Sequence, residues 1–326
     1  MSRSRAPSSS GRALPDFVPQ LATLAKDPPT GDDWLHEQKL DGYRIGCRVD
    51  AGKVRLISRA GLDWTEKFPG IRDAAKRLPV EQALLDGEAA AVLPSGLTSF
   101  QALQNSFRGD ASVPVIYFAF DLLFWNGRDV GQQPLRERKA LLKQLLASHG
   151  GNVIRYSDHV TGDGAAFLRG ACGMGMEGIV SKRKDQAYTP GRNSGWLKIK
   201  CIKRQELVIG GFTDPEGSRR GIGALLVGYY DDEKRLVFAG RVGTGFTEQV
   251  ALDLRRQLDG LERKQPTFVA GPLVGLPKKG LHWTAPKLVC EVAFAEWTGD
   301  GSLRHPSFQG LRLDKNPTDV VREIPG

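Results

Sequence analysis

Short runs in which apolar and polar residues alternate dominate the first part of the chain, a pattern typical of strands with one buried face. The run 43–49 alternates in this way and predicts a half-buried strand. The turn residues at 50–52 predict a hairpin whose second strand is 54–58. Further strands are predicted at 83–93, interrupted at Asp86-Gly87-Glu88, and at 115–124, 178–182 and 196–200. Pro134 begins a predicted helix with a leucine stripe.

The pattern changes near position 204, where three strands are predicted at 206–213, 224–230 and 236–242. A helix at 247–258 and a strand at 288–297 follow. Three strands, a helix and further strands is the order of a small oligonucleotide-binding (OB) barrel. We therefore predict an α+β protein: a disordered basic tail (1–12), a domain of mixed and antiparallel sheets with helices (13–203) and an OB-fold β-barrel domain (204–326).

The charge indicates a polyanionic partner. The formal net charge is +9 and the isoelectric point about 9.4. Eight basic residues lie between Lys182 and Arg204, where Asp185 is the only acidic residue. Such clustering favours phosphate binding over a merely solvated surface.

The four cysteines are scattered and form no Cys-x-x-Cys pair. This argues against a disulfide framework or a zinc site and fits a reducing compartment. No apolar run is long enough to span a membrane, and residues 1–12 lack the apolar stretch of a secretory signal. We expect a protein of the bacterial cytoplasm or nucleoid with no membrane partner.

Candidate chemistry begins with the hexapeptide KLDGYR at 39–44. A free lysine has a pKa of about 10.4 and is a poor nucleophile at neutral pH. Nearby cations and a divalent metal ion can lower that pKa and expose the lone pair of Lys39. Gly42 would permit a close approach of a ligand to the backbone. Lys198 and Lys200 lie on one face of a predicted strand, and an anion between them would relieve their repulsion.

Further segments complete a resemblance. They are listed in chain order: SRAG at 58–61, DGE at 86–88, YFAFD at 117–121, EGIVSK at 177–182, WLKIK at 196–200, RHPSF at 304–308 and RLDK at 312–315. Together with 37–44, they resemble the ATP-dependent DNA ligases of the covalent nucleotidyltransferase superfamily. Within that family, the order resembles the ligase module of bacterial end-joining ligase D over roughly residues 13–320.

The resemblance implies a role for each matched residue. Lys39 is the expected adenylated nucleophile, and Lys198 and Lys200 the expected grip on the α-phosphate. The other expected nucleotide contacts are Glu37 near the adenine, Arg44 toward the ribose, Arg59 on a phosphate, Glu88 on the ribose or metal side, Phe120 stacked on the adenine, and Arg312 and Lys315 orienting the pyrophosphate. Glu88 and Glu177 are the expected ligands of a divalent metal.

The implied activity is ATP-dependent sealing of nicks with a 3′-hydroxyl and a 5′-phosphate, through a lysyl-AMP and a DNA-adenylate. ATP is the expected AMP donor, with Mg²⁺ or Mn²⁺. The expected partners are nicked double-stranded DNA and end-joining proteins, with the protein itself a monomer. Repair by end joining is the expected setting.

Alternatives remain open at this stage. RNA ligation and RNA capping share the lysine motif and the barrel, and a non-catalytic OB protein would explain the charge. Glu88 and Glu177 read equally well as solvated turn carboxylates, and Phe120 as a core residue. The GMGMEG string at 173–178 matches a dinucleotide-binding fingerprint. A helical stretch precedes it and a strand follows, the reverse of the context that fingerprint needs.

Overall fold

The computed structural model describes residues 13–107, 109, 113–147, 151–217, 220–273, 276–277 and 279–324. The predicted tail 1–12 lies outside these residues. The chain divides into two compact units, Met1–Ile199 and Lys200–Gly326.

The first unit contains two sheets, of which the first sheet carries the segment with Lys39. Its strands run in the order β1-β11-β10-β2-β9. They are β1 (Gln20–Leu24), β2 (Trp34–Gln38), β9 (Val160–Thr161), β10 (Gly178–Arg183) and β11 (Gly191–Lys200). The central pair β2 and β10 is antiparallel, whereas β1 and β11 are parallel. The helix α4 (Gly164–Gly173) packs against β10 and β2.

The second sheet has the order β4-β3-β5-β6-β7, with β8 parallel to β6. Its strands are β3 (Tyr43–Asp50), β4 (Lys53–Ser58), β5 (Gln82–Ala91), β6 (Val115–Trp125), β7 (Arg128–Asp129) and β8 (Ile154–Tyr156). The helices α1 (Pro69–Ala75), α2 (Phe100–Ser106) and α3 (Leu135–Ala147) pack on this sheet and close a large apolar core.

A smaller apolar cluster joins the two sheets. Phe120 and Phe124 of β6 pack with Trp196 of β11 and with Tyr188, which precedes β11. Burying these large rings favours the closed arrangement, since each aromatic side chain removes a large apolar area from water. The face of the second sheet that carries Phe120 therefore looks toward the first sheet.

Several predicted boundaries change in the structure. The interruption predicted at Asp86-Gly87-Glu88 is wrong: β5 continues through it, and only its register with β6 shifts, between Asp86 and Gly87. Such a shift is a bulge, which a strand accommodates without ending. At 173–178, α4 precedes the glycine-rich string and β10 follows it, as the rejection of a dinucleotide-binding loop requires.

The second unit is built on a sheet of order β14-β13-β12-β16-β15, with β19 paired to β16. Its elements are β12 (Arg204–Thr213), β13 (Ala224–Tyr230), β14 (Leu236–Val242), α5 (Glu248–Asp259), β15 (Glu262–Arg263), β16 (Leu281–Ala293), β17 (Glu296–Trp297), β18 (Leu303–Arg304) and β19 (Ser307–Leu311). The apolar stripe of α5 packs into the core of this sheet. Within the described residues the strand pairings leave this sheet open, so the OB-fold domain is not closed into a complete barrel.

The cysteines depart partly from expectation. Cys47 and Cys290 are buried free thiols. Cys172 and Cys201 are disulfide-bonded, which their scattered spacing and the expected reducing compartment did not predict. Across the described part of the chain, no helix is both long and apolar enough to span a membrane.

Candidate active site

Lys39 lies directly after β2 and is held at both its backbone and its side chain. Its backbone N–H donates to the carbonyl of Gly178 over 2.9 Å. Its ammonium group forms a hydrogen-bonded ion pair with the carboxylate of Glu177. The antiparallel register of β2 with β10 brings together these two residues, which are distant in the sequence. Glu177 is almost fully buried, whereas part of the Lys39 side chain remains exposed.

Glycine is needed at position 42 for a different reason from the one predicted. A Cβ atom on Gly42 would lie 2.2 Å from the carbonyl oxygen of Ala89 in β5. The close approach is therefore to the protein's own backbone. Asp41 anchors the same segment, since its N–H donates to Thr98 Oγ1 over 3.0 Å and its carboxylate accepts from the N–H of Phe100.

Arg44 is fixed by the buried carboxylate of Asp86. Two parallel hydrogen bonds of 2.6 Å join them, and a third runs from Arg44 to the carbonyl of Gln20 over 3.1 Å. The Tyr188 hydroxyl donates to Asp86 over 2.7 Å. Although burial opposes it, Asp86 raises the pKa of Arg44 above its ordinary value. This geometry is the bidentate fork of a strong arginine–carboxylate pair.

Glu88 and Phe120 lie near Arg44 on the second sheet. Glu88 is opposite Arg44 in the β3–β5 register and is half-buried. Phe120 is 8% exposed and meets Trp196 edge-to-face, with ring centroids 5.9 Å apart. The Arg44 guanidinium lies 4.7 Å from the Phe120 ring centroid. The structure thus brings Arg44, Glu88 and Phe120 to one region.

Glu37 is wholly engaged with protein groups. One of its oxygens accepts from Lys139 over 2.6 Å, and the other accepts from Lys182 over 2.9 Å and from the Ser157 hydroxyl over 3.3 Å. Burial opposes ionisation, but the two ammonium groups outweigh it and lower the pKa of Glu37. Any contact of Glu37 with adenine would have to share these carboxylate oxygens or use the backbone.

Lys182 belongs to the interior. Sequence reasoning counted it in the basic cluster, but its side chain is 2% exposed. Its ammonium lies 4.1 Å from the ring centroid of Phe120 and 4.2 Å from that of Trp196. Burial and the nearby charge of Lys139 together lower the pKa of Lys182 to about 8, against the opposing effect of Glu37.

Lys139 was missed by the sequence reasoning. It lies in α3, inside the stretch PLRERK at 134–139, which gives no sign that the lysine is buried. A signal was present, because an amphipathic helix that begins at Pro134 places 135, 138, 139 and 142 on one face. Four charged residues in six made the stretch resemble a solvated surface.

The three remaining candidates before position 204 lie in β11 or directly after β4. Lys198 is half-buried in β11, opposite Leu24 of β1. The Lys200 ammonium donates to the Arg204 carbonyl over 2.5 Å and forms an ion pair of 3.1 Å with Glu323. Arg59 follows β4 and is half-buried.

Arg312 and Lys315 are held by carboxylates of the second unit. Arg312 makes two hydrogen bonds of 3.0 Å to Asp314 and one of 3.3 Å to Glu291. Lys315 pairs with Glu206 over 3.3 Å. Glu206 and Glu291 are directly opposite each other in the β12–β16 register. A guanidinium beside them relieves the repulsion of two facing carboxylates.

A divalent metal would find few protein ligands here. Among the described residues there is no group of three or more His, Cys, Asp or Glu side chains placed to hold a metal ion. Mg²⁺ usually keeps several waters and binds one or two carboxylates together with substrate phosphates. The two oxygen donors predicted, Glu88 and Glu177, fit that mode of binding.

Two family models match the chain. The model described as ATP dependent DNA ligase domain matches residues 19–200, and the model described as ATP dependent DNA ligase C terminal region matches residues 218–315. The chain therefore belongs to the ATP-dependent DNA ligase family, with a nucleotidyltransferase domain followed by an OB-fold domain. The predicted family and fold class are confirmed.

Its similarity is strong to a particular branch of that family. The chain is 40% identical over 319 residues to the multifunctional non-homologous end joining protein LigD of Pseudomonas aeruginosa, covering 96% of this chain and 37% of that protein. It is also 40% identical over 313 residues to LigD of Mycolicibacterium smegmatis, covering 94% of this chain and 40% of the relative. The chain thus spans well under half the length of these relatives.

Solved structures of the same branch share the fold. A mycobacterial DNA ligase D complexed with ATP and MES matches with 37% identity and a TM-score of 0.70, over 94% of this chain and 98% of that one. The ligase domain of M. tuberculosis LigD matches with 38% identity and a TM-score of 0.53, over the same shares of the two chains.

Proposed function

We propose that the chain is an ATP-dependent DNA ligase that seals nicks through a lysyl-AMP intermediate on Lys39. The observation that carries this proposal is the ion pair between Lys39 and the buried Glu177, set at the end of β2 by the β2–β10 register. This contact holds one amine at a fixed place at the end of β2, and Arg44, Glu88 and Phe120 lie together on the second sheet. Membership of the ligase family indicates that the substrates are a nucleotide and a nucleic acid.

The reaction consists of three displacements at phosphorus. The Lys39 amine loses a proton and attacks the α-phosphorus of ATP; a P–N bond forms, and the bond to pyrophosphate breaks. An oxygen of the DNA 5′-phosphate then attacks the same phosphorus, which breaks the P–N bond and restores the amine. Finally, the 3′-hydroxyl attacks the 5′-phosphorus, its proton is lost, and AMP leaves as the strand closes.

The protein acts on these steps by positioning and electrostatics. Phe120 offers a ring face to adenine, Arg44 and Glu88 face the ribose, and Glu37 lies behind the base. Lys198, Lys200 and Arg59 bind phosphate oxygens. Arg312 and Lys315 orient the pyrophosphate. Substitution of each of these residues tests its proposed role.

Glu88 and Glu177 are the residues proposed to hold Mg²⁺ or Mn²⁺. A bound cation would neutralise charge on the phosphate oxygens. Before it arrives, Glu177 orients the Lys39 side chain through the ion pair.

Incubation with α-labelled ATP and Mg²⁺ tests the first step. We expect an acid-labile label on the wild-type protein and none on Lys39→Ala, because the proposal assigns the P–N bond to the Lys39 amine alone. Lys26→Ala is the matched control, since Lys26 is an exposed lysine just beyond β1. Label on Lys39→Ala, or none on wild type, would contradict the assignment.

The RNA ligase, capping and non-catalytic alternatives make different predictions. A capping enzyme would take label from GTP, and an RNA ligase would seal nicked RNA better than nicked DNA. A binding module would show salt-sensitive DNA binding without sealing. We expect ATP-dependent sealing of nicked duplex DNA, little label from GTP and little sealing of nicked RNA.

We further propose that the natural setting is DNA end joining in the bacterial cytoplasm or nucleoid, with end-joining proteins as partners and the chain itself monomeric. The similarity to LigD proteins, which are named for non-homologous end joining, supports this setting. Sealing of broken, rather than nicked, duplex ends in the presence of a cell extract would test it, and sedimentation would test the monomer.

A further inference from the structure

A buried lysine connects the two sheets of the first unit beside the nucleophile. Lys139 projects from α3, which packs on β6 and β8 of the second sheet. Its ammonium donates to Glu37 of β2 in the first sheet over 2.6 Å and to the carbonyl of Ser157, just after β8, over 2.9 Å. The side chain is 1% exposed. Lys139 therefore joins one strand of the first sheet to two segments packed with the second.

This connection is more than charge neutralisation requires. Glu37 already has a counterion in Lys182, which lies on β10, the neighbouring strand of the same sheet. A second ammonium leaves the buried group with two positive charges and one negative charge. Burying an additional cation costs free energy, so neutrality does not account for Lys139. The position of Lys139 does account for it, because this side chain reaches Glu37 from a helix packed on the other sheet.

The proposed reaction depends on the distance between these sheets. Lys39 and Glu177 belong to the first sheet or its ends, whereas Arg44, Glu88 and Phe120 belong to the second. The nucleotide must be held by the second group while the amine of the first attacks it. Glu37 and Lys39 are two positions apart, so a constraint on Glu37 acts directly on the segment that carries the amine.

We propose that Lys139 is a positioning residue for adenylation. By tying Glu37 to α3 and to the segment after β8, it sets the spacing between Lys39 and the nucleotide-binding side chains of the second sheet. This inference rests on the proposed ligase function. Other connections between the sheets remain when Lys139 is changed: the Ser157 hydroxyl still donates to Glu37, Arg44 to the carbonyl of Gln20, and Tyr188 to Asp86. Lys139 is the connection that reaches Glu37 from α3.

The test is Lys139→Met, which removes the ammonium but keeps much of the side-chain volume. Because Lys182 remains, Glu37 keeps a counterion, and we expect the variant to fold. The matched control is Lys143→Met, one turn further along α3, where the side chain is exposed. Lys139→Gln, which retains a donor without the charge, is measured beside them.

Single-turnover labelling at saturating ATP gives two numbers, the rate constant and the final labelled fraction. We expect Lys139→Met to lower the rate constant by about tenfold or more with an unchanged final fraction, because a small misplacement of reacting groups costs rate. Lys139→Gln should lie between it and wild type, and Lys143→Met within about twofold of wild type.

Three results would overturn the inference. The first is a Lys139→Met rate constant equal to that of wild type. The second is a loss confined to the final labelled fraction, which indicates a partly unfolded population rather than misplacement. The third is a Lys143→Met rate as slow as that of Lys139→Met. Absence of label on wild type is a separate failure, because it removes the proposed function and the inference with it.

Discussion

Charged residues of the site form ion pairs in which a lysine and a carboxylate hold each other in position. Lys39 contacts Glu177, and Lys139 and Lys182 contact Glu37. In each pair the carboxylate is almost fully buried. Removing a carboxylate from such a pair is costly, because the remaining charge is left in a poorly polar interior.

Glu37→Gln is expected to destabilise the protein strongly. It would leave Lys139 and Lys182 buried without their shared counterion, and breaking a buried pair by removing one partner costs about 3–5 kcal/mol. Urea unfolding measures the change in the free energy of unfolding. Glu137→Gln in α3 is the control, since this exposed glutamate should change stability by less than about 0.5 kcal/mol. A Glu37→Gln variant as stable as the control would show that the pairing is not stabilising.

The lowered pKa of Lys182 predicts a pH-dependent stability. Below pH 8 this lysine is charged in both the folded and unfolded states, and the folded state bears the cost of its burial. Between about pH 8 and its ordinary pKa of 10.5, the unfolded state binds the proton and the folded state does not. Stability contributed by Lys182 therefore rises across this range, by roughly 3 kcal/mol at 1.36 kcal/mol per pKa unit.

Comparison with Lys182→Met isolates that effect, because other titrating groups cancel in the difference. We expect the free energy of unfolding of wild type, relative to that of Lys182→Met, to be larger at pH 10 than at pH 7. A difference that stays constant, or moves the other way, would contradict the lowered pKa.

At the scale of elements, the connection of β2 to β3 determines where Lys39, the proposed nucleophile, lies. Gly42 in this connection packs against the backbone of β5. The same glycine was predicted to make room for a ligand. Its role could not be read from the sequence, because the contact joins residues almost fifty positions apart.

Gly42→Ala is expected to lower both stability and adenylation rate. The new methyl group would lie 2.2 Å from the Ala89 carbonyl, so the backbone must shift. Overpacking of this kind typically costs about 1–3 kcal/mol. Gly70→Ala in α1 is the control: it meets no atom within 4 Å and should be neutral or slightly stabilising. Thermal melting with single-turnover labelling measures both, and an unperturbed Gly42→Ala would refute the packing argument.

The strand predictions succeeded where apolar and polar residues alternate regularly, and they failed where a proline interrupts the pairing of a strand. The strands predicted at 224–230 and 236–242 have those bounds in the structure. The strand predicted at 288–297 instead begins at Leu281, and its register with β12 breaks between Leu288 and Trp283. Pro286, which has no N–H to donate, lies in that break. Its presence concealed the earlier half of the strand.

At the scale of the whole molecule, charge is the property that bears on DNA. A net charge of +9 is expected to attract a polyanion, and binding then releases counterions. We expect affinity for a nicked duplex to fall at least about tenfold between 50 and 200 mM salt. Adenylation in the absence of DNA should change much less. Equal salt sensitivity of the two measurements would show that the net charge does not act through DNA binding.

The sequence by itself determined the family and the order of the domains and predicted which lysine is reactive, because the ligase motifs are local and keep their order. It could not show that Lys182 is buried, that Lys139 reaches Glu37, or that Gly42 packs on Ala89. Those facts depend on strands and a helix that are far apart in the sequence and meet only when the two sheets pack. The hexapeptide at 39–44 thus predicts Lys39 as the nucleophile, and the tertiary structure decided what holds that lysine in place.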